Sequence, residues 1–548
     1  MDSNKKMTDE ASGRRNTEYF QRFVPEDPPN VENPEETCCH RITCCCPFLR
    51  EKLVTQPISK CGNQQLIWSD LFWIKTCIIL VLITYVLLYC ILGELMLPGG
   101  NMFGLFIIIL SSYFLGWSLT YIPYLHIPPV FGMLMAGIII RNTHLFNMKE
   151  EFGTTTTAKI RTFCMAFITL RIGFQLTTSP LREHPFFLMI LAFVPCTMEV
   201  LAVGVCGKFI LQLPWNWSFL AGTIIACMSP VVTVNCILAL ADRGYGEDKG
   251  MASLLCTATS IDDVHIVALY AFCYSTVFSH DELRTEWWSY IPGGIRDFLL
   301  AIIAGTFLGT LFIFFPHRNH KYATEFRLTC LALSSLMFCF IISKISVTGG
   351  GFLASVIMSF IASSGWRILS ASFDLAPFRR ASSIIWHFMQ PILVGVIGAD
   401  IDFHDWSSGR FGLYIVCILI GLIVRSLFVI LSTFRTHFTY KERIFIALSW
   451  MPKGTLQAAL APLALEQARN EENAGDIELA TEIVRLSVVA VVFLAPLGAI
   501  LMMITGPLLL NKITTEEQER ERRLSYLRMI SLQPVIKSNT RNKIDNPE

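Results

Sequence analysis

An all-α polytopic membrane fold is the class this sequence predicts, and three observations predict it. The 548-residue chain is 53% hydrophobic and only 16% charged, against about 25% charged in average soluble domains. Apolar runs of roughly 20 residues, the length that crosses a bilayer as a helix, recur along most of it. Two of those runs carry a mid-span proline among polar residues, ACMSPVVTVN (226–235) and LSWMPKGTLQ (448–457). That is the pattern of helices interrupted inside a membrane.

Residues 1–68 form a polar, Pro-rich N-terminal tail with no cleavable signal peptide. The transmembrane region spans 69–510. Its segments, about 14 transmembrane helices, cover roughly 71–93, 103–123, 129–141, 158–177, 186–210, 217–240, 251–278, 296–315, 325–344, 350–364, 381–399, 411–434, 442–465 and 483–510. The third and tenth are short. Residues 511–548, with the run EEQERERR, close the chain as a charged tail.

Loop charge sets the orientation. An even number of spans puts both tails on one side. The loops of that side carry Arg243 and Lys249, then His317, Arg318 and Lys321, then Arg367, Arg379 and Arg380, then Arg435 and Lys441. The opposite loops are acidic or poor in basic residues, as in HDELRTE (280–286) and EENAGDIE (471–478). Both termini are therefore expected to be cytosolic. The sequon at Asn216 falls in an outward loop too short for glycosylation.

The two proline-bearing segments are the sixth and thirteenth. An offset of seven is odd, so two copies of one unit would sit in opposite topology. The third segment, VFGMLMAGIII, and the tenth, GGFLASVIMSFI, share that offset and have small residues along one face. Inverted repeats over segments 3–7 and 10–14 follow. Pro230 and Pro452 each remove a backbone donor and free a carbonyl one turn earlier. With Ser229, Thr233, Asn235, Lys453 and Thr455 beside them, two crossed broken helices would frame a polar cavity at mid-membrane.

Within TATSIDDVHIV (257–267), Asp262 and Asp263 interrupt a long apolar run. One Asp at the bilayer centre costs about 2.5–3.5 kcal/mol on insertion scales, so two need a purpose. Hard cations prefer oxygen ligands. Like charge and desolvation favour the neutral form of a carboxyl. A carboxylate pair that takes either Na⁺ (or Li⁺) or protons can therefore exchange one for the other. Thr259 is three and four residues before the pair and can face the same site. His265 more simply packs elsewhere. Two further buried charges, Glu199 in FVPCTMEVLAVGV and Arg425 in LIGLIVRSLFVIL, again lie seven segments apart, so the repeats would bring them together as a structural ion pair. Arg425 could instead pair with Asp262. Arg171 and Arg485 read as membrane-edge residues that snorkel.

The run CCHRITCCCP holds Cys38, Cys39, Cys44, Cys45 and Cys46. Its spacing does not suit zinc, and cysteines near a first span fit lipidation better. The near-zero net charge implies no nucleic-acid partner. There is no phosphate-binding glycine loop, no HExxH and no nucleophile–base set, so the expectation is a secondary transporter without a cofactor rather than an enzyme. A channel, with the same acids as its selectivity ring, and a non-transporting scaffold are the alternatives of other classes.

The stretches LPGGNMFGLF (97–106), PPVFGMLMAGIIIRN (128–142), SPVV (229–232), GYGEDKG (244–250), SIDDV (260–264), QPILVGVIGADI (390–401) and KERIFIALSWMPKGTLQAAL (441–460) resemble animal sodium/proton exchangers of the NHA subfamily. This is solute carrier family 9B, in the monovalent cation:proton antiporter-2 group. The resemblance covers about 70–510. It implies an NhaA/NapA-like antiporter fold and a homodimer of protomers, each with a dimerisation domain and an ion-translocating core that moves like an elevator. It implies Asp263 as the main ion carrier and Asp262 as its neighbour. Backbone near Met228, with Thr259, lines the ion, and Thr233 is counted with them among the expected ion-binding positions. Glu199–Arg425 corresponds to a family ion pair. The chain departs from the usual family pattern at Thr233, Asn235, Thr259 and His387, which bears on cation selectivity, and proton-coupled anion transport is a variant of the same fold. The plasma membrane is the expected location, with mitochondrial and endosomal membranes as alternatives; lipids are the surroundings.

Overall fold

The computed structural model describes residues 59–61, 64–66, 68–120, 128–143, 148–175, 185–278, 293–316, 322–341, 350–369, 376–401 and 408–513. The cysteine run at 38–47 and residues 514–548 of the charged tail lie outside the described residues. The chain divides into two compact units, Met1–Leu97 and Pro98–Glu548. In the first, a two-stranded antiparallel ribbon, β1 (Ser59–Cys61) and β2 (Gln64–Leu66), pairs Ser59 with Leu66. It precedes α1 (Trp68–Leu92) and a 3₁₀ turn, Gly93–Met96. Tyr85 OH donates to the Met96 carbonyl at 3.1 Å and ties the turn back to the helix.

The second unit is helical. Its helices are α2 (Asn101–Thr120), α3 (Pro129–Asn142), α4 (Met148–Gln175), α5 (Pro185–Phe209), α6 (Trp215–Ala226), α7 (Pro230–Asp242), α8 (Met251–Phe278), α9 (Gly293–Phe314), α10 (Ala323–Ile341), α11 (Gly350–Leu369), α12 (Ala376–Ala399), α13 (Ser408–Ser432), α14 (Tyr440–Ser449), α15 (Thr455–Asn470) and α16 (Ala474–Leu509). Each of the fourteen predicted segments falls on a helix or a helix pair. Among the described residues, eleven spans are long and apolar enough to cross a membrane, counting α6–α7 as one. The other three segments lie on α3, which is short, on α4, which opens on Met-Lys-Glu-Glu, and on α14–α15, which are short halves of one broken segment.

The helices of this unit form two sets that pack mainly among themselves: α5–α8 with α13–α16, and α2–α4 with α9–α12. In the second set, backbones meet at glycine. Gly137 on α3 lies against Gly395 and Gly398 on α12; a Cβ on Gly137 or Gly398 would strike backbone, and one on Gly395 would strike the Ser112 side chain of α2. Between the sets runs a crevice lined by Leu134, Ile397, Ala458, Ala461, Pro462 and Val488, with no charged side chain.

Both expected helix breaks are present. α6 stops at Ala226 and Pro230 opens α7, a position where its missing N–H costs nothing. α14 starts on a Thr439–Glu442 capping box and stops at Ser449; Pro452 lies in the five-residue gap before α15. Proline alone does not make a break. Pro195, Pro391, Pro462, Pro496 and Pro507 all sit inside continuous helices.

Candidate functional site

The two breaks cross each other. Ser229 N–H donates to the Pro452 carbonyl at 2.9 Å. Thr233 Oγ1 donates to the Ser449 carbonyl at 2.9 Å. Gln457 clamps the crossing from both sides: its Oε1 accepts from Gly454 N–H at 2.7 Å, and its Nε2 donates to the Cys227 carbonyl. Gly454 is needed here, because a Cβ would lie 2.6 Å from Ser229 Oγ. These bonds satisfy the backbone groups that the breaks expose in a site without bulk water.

Four buried charges surround the crossing. α5 and α13 run antiparallel, so that Glu199 faces Arg425 while Gly421 makes room for Val203. Arg425 NH1 reaches Glu199 Oε2 at 2.5 Å, and its NH2 reaches Asp262 Oδ2 at 2.9 Å. Arg425 thus takes both partners that the sequence offered it. Lys453 Nζ donates to Glu199 Oε1 at 2.8 Å and Oε2 at 3.0 Å. Ala226, the last residue of α6, offers its carbonyl to both Arg425 and Lys453. Two cations and two carboxylates balance.

Asp263 stands outside that balance. It is 1% exposed and has no ion pair among the described residues. Three buried oxygens near the crossing have no hydrogen-bond partner among the described residues: Asp263 Oδ1, Asp262 Oδ1 and Ser229 Oγ. Buried acceptors left in this state cost about 1–3 kcal/mol each unless something fills them. A hard cation or a proton fits that chemistry; the set offers oxygen alone.

Other residues singled out from sequence take varied places. Thr259 is fully buried and gives its hydroxyl hydrogen to the Cys256 carbonyl at 3.0 Å, which leaves its lone pairs open. Met228 is fully buried in the α6–α7 gap. Asn235 is exposed on α7 rather than turned into the site. His265 packs edge-on against Phe193 and pairs with Thr197 at 2.9 Å. Arg171 departs from the membrane-edge reading. It lies within electrostatic reach of Asp263 and 5.9 Å from the Trp386 ring. Arg485 bonds Glu482 at 3.0 Å. His387 bonds Tyr113 at 2.9 Å on an exposed face.

Sequence reasoning missed two groups. Gln457 sits inside the quoted LSWMPKGTLQ, and its burial behind a helix break was the available signal. Arg161, 1% exposed on α4, bonds both Asp400 at the end of α12 and Glu466 on α15. This second buried ionic cluster joins the two helix sets. Its members sit near segment ends, where charges usually meet water.

The model of the family described as "Sodium/hydrogen exchanger, transmembrane" matches residues 107–504. Human sodium/hydrogen exchanger 9B1 is 33% identical over 79% of this chain and 83% of its own length. Sodium/hydrogen exchanger 9B2 of Xenopus tropicalis is 31% identical over 80% of each. The solved sodium proton antiporter MjNhaP1 of Methanocaldococcus jannaschii superposes with a TM-score of 0.58 at 17% identity, over 75% of this chain and 99% of that one. That likeness extends to the fold, and the family match covers both interrupted helices and the aspartate helix. The chain belongs to the sodium/hydrogen exchanger family and is, by that membership, a multi-pass membrane transporter rather than an enzyme.

Proposed function

We propose that this protein exchanges Na⁺ (or Li⁺) for H⁺ at Asp263, one ion displacing the other. The observation that carries the reading is the charge arithmetic. Lys453, Glu199, Arg425 and Asp262 neutralise one another, which leaves Asp263 as the carboxylate without an ion pair among the described residues, with Arg171 within electrostatic reach. An uncompensated buried charge is costly, and either a cation or a proton removes the cost. Asp262 keeps Arg425 in place and offers its free Oδ1. Thr259 and the backbone at Met228 complete the oxygen set, while Thr233 holds the two interrupted helices together. One carboxylate carries one charge, so exchange is one for one and electroneutral.

The set α5–α8 with α13–α16 is the moving core in this reading, and α2–α4 with α9–α12 is the fixed part, through which two copies form a homodimer. A core that slides along the uncharged crevice between them, as alternating access requires, has to part Arg161 from Glu466. Both termini face the cytosol, and the plasma membrane is the favoured location. Purified protein in proteoliposomes tests this. A pH gradient should drive Na⁺ or Li⁺ uptake, and the rate should be unchanged when an ionophore clamps the voltage. Asp263→Asn should lower flux to that of protein-free vesicles. Undiminished exchange by the Asn variant would refute the reading. Single-channel currents through the wild type would favour a channel instead.

A further inference from the structure

The loop Gly244–Gly250 is the covalent joint between α7, which begins in the crossing, and α8, which carries Asp263 ~18 Å along its length. Two separate elements hold that loop. From one side the chain leaving α16 pairs with it as a short strand. Gly246 N–H donates to the Asn511 carbonyl at 2.9 Å and Ile513 N–H to the Gly244 carbonyl at 2.9 Å, with Tyr245 opposite Lys512. Asn511 Nδ2 reaches Asp248 Oδ2 at 3.1 Å, and Lys512 Nζ lies 5.5 Å from the Tyr245 ring centre. Gly244 has φ +85°, and a Cβ there would meet Ile513 O at 2.9 Å, so the loop is shaped to accept the strap. From the other side, Lys249 Nζ donates to both oxygens of Glu442 at 2.9 and 2.6 Å and to the His437 carbonyl at 3.3 Å. Glu442 in turn caps α14.

One loop therefore locks the far ends of both interrupted helices, the aspartate helix and α16 together. Each polar contact closes a pair, so the joint has one register. We propose that the strap Asn511–Ile513 is a positioning element for ion exchange, which fixes the depth of Asp263 against the crossing. This rests on the exchange reading above. It also assigns the first residues of the predicted C-terminal tail, 511–513, to the site.

The test compares full-length protein, a chain ending at Ile513 and a chain ending at Leu510, all in proteoliposomes, with Na⁺ titrated at several pH values. The chain ending at Ile513 should match full length. The chain ending at Leu510 should show an apparent KM for Na⁺ raised by about fivefold or more, with a smaller change in maximal rate. Ile513→Pro, which removes one strap donor, should reproduce that rise, and Ile513→Val should restore the full-length value. Unchanged KM in both the Leu510 truncation and the proline variant would overturn the proposal. So would a loss already complete on removing 514–548. Absence of cation-driven proton flux in the full-length chain would sink the exchange reading itself.

Discussion

Glu199→Gln tests the central charge arithmetic. Glu199 receives two bonds from Lys453, at 2.8 and 3.0 Å, and one from Arg425, at 2.5 Å. The substitution keeps the shape and removes the charge. Lys453 then retains the Ala226 carbonyl at 3.5 Å, and Arg425 retains Asp262 and that same carbonyl. Breaking a buried ion pair by removing one partner costs about 3–5 kcal/mol, because a bare charge is left behind. The crossing carries one surplus positive charge after the change. Asp263 is the nearby carboxylate without an ion pair among the described residues and becomes its counter-ion, so the apparent KM for Na⁺ rises as thermal stability falls. The control is the double variant Glu199→Gln with Lys453→Met, which restores the balance of charges. It should melt above Glu199→Gln alone, and the cycle should give a coupling of about 0.5–3 kcal/mol. Thermal unfolding of detergent-purified protein, followed by intrinsic fluorescence, reads the first quantity. Proteoliposome flux reads the second. A single variant that melts with the wild type and binds Na⁺ equally well would refute the argument.

Competition at one carboxylate makes the apparent KM for Na⁺ rise as pH falls, approaching about tenfold per pH unit in the acidic limit; a KM independent of pH across the active range would contradict a shared site. Arg161→Ala strands Asp400 and Glu466 and should destabilise the fold by about 3–5 kcal/mol, with Asp400→Asn and Glu466→Gln added to it recovering part of the loss in a melting assay. Gln457→Ala orphans the Cys227 carbonyl and the Gly454 N–H, so a drop of about 1–3 kcal/mol for each group left bare is expected, readable by the same melting measurement.

Much of this architecture is legible in the sequence because hydropathy and helix chemistry are local. Pro230 and Pro452 could be told from the five prolines that do not break helices by their polar company, Ser229 and Thr233 in one case and Lys453 and Thr455 in the other. The odd spacing of segments was enough to bring Glu199 and Arg425 together. Partner choice was harder to read. Lys453 could be seen as a charge near a break, but its bond to Glu199 depends on how three helices pack. Arg161 was missed and Arg171 misplaced for one reason. A basic residue near the end of an apolar segment looks the same in sequence whether it snorkels to water or turns inward to a carboxylate. The ribbon at 59–66 gave no signal of its own, since Ser-Lys-Cys and Gln-Gln-Leu lack the alternation that marks a strand.

Between backbone groups, and among the described residues, the crossing of the interrupted helices is bonded in one direction only. Ser229 N–H reaches across to Pro452, but Pro452 has no hydrogen to give back, and the residue before it, Met451, spends its own N–H on Leu448 at 3.1 Å. The backbone pairing of the two breaks is thus unsymmetrical, for want of a single proton on Pro452. In the alternating access proposed above, the two open forms are then not equivalent at this junction, and need not be equally populated. The resting preference between them is a chemical property of this one junction, open to tuning by substitution without touching the carboxylates.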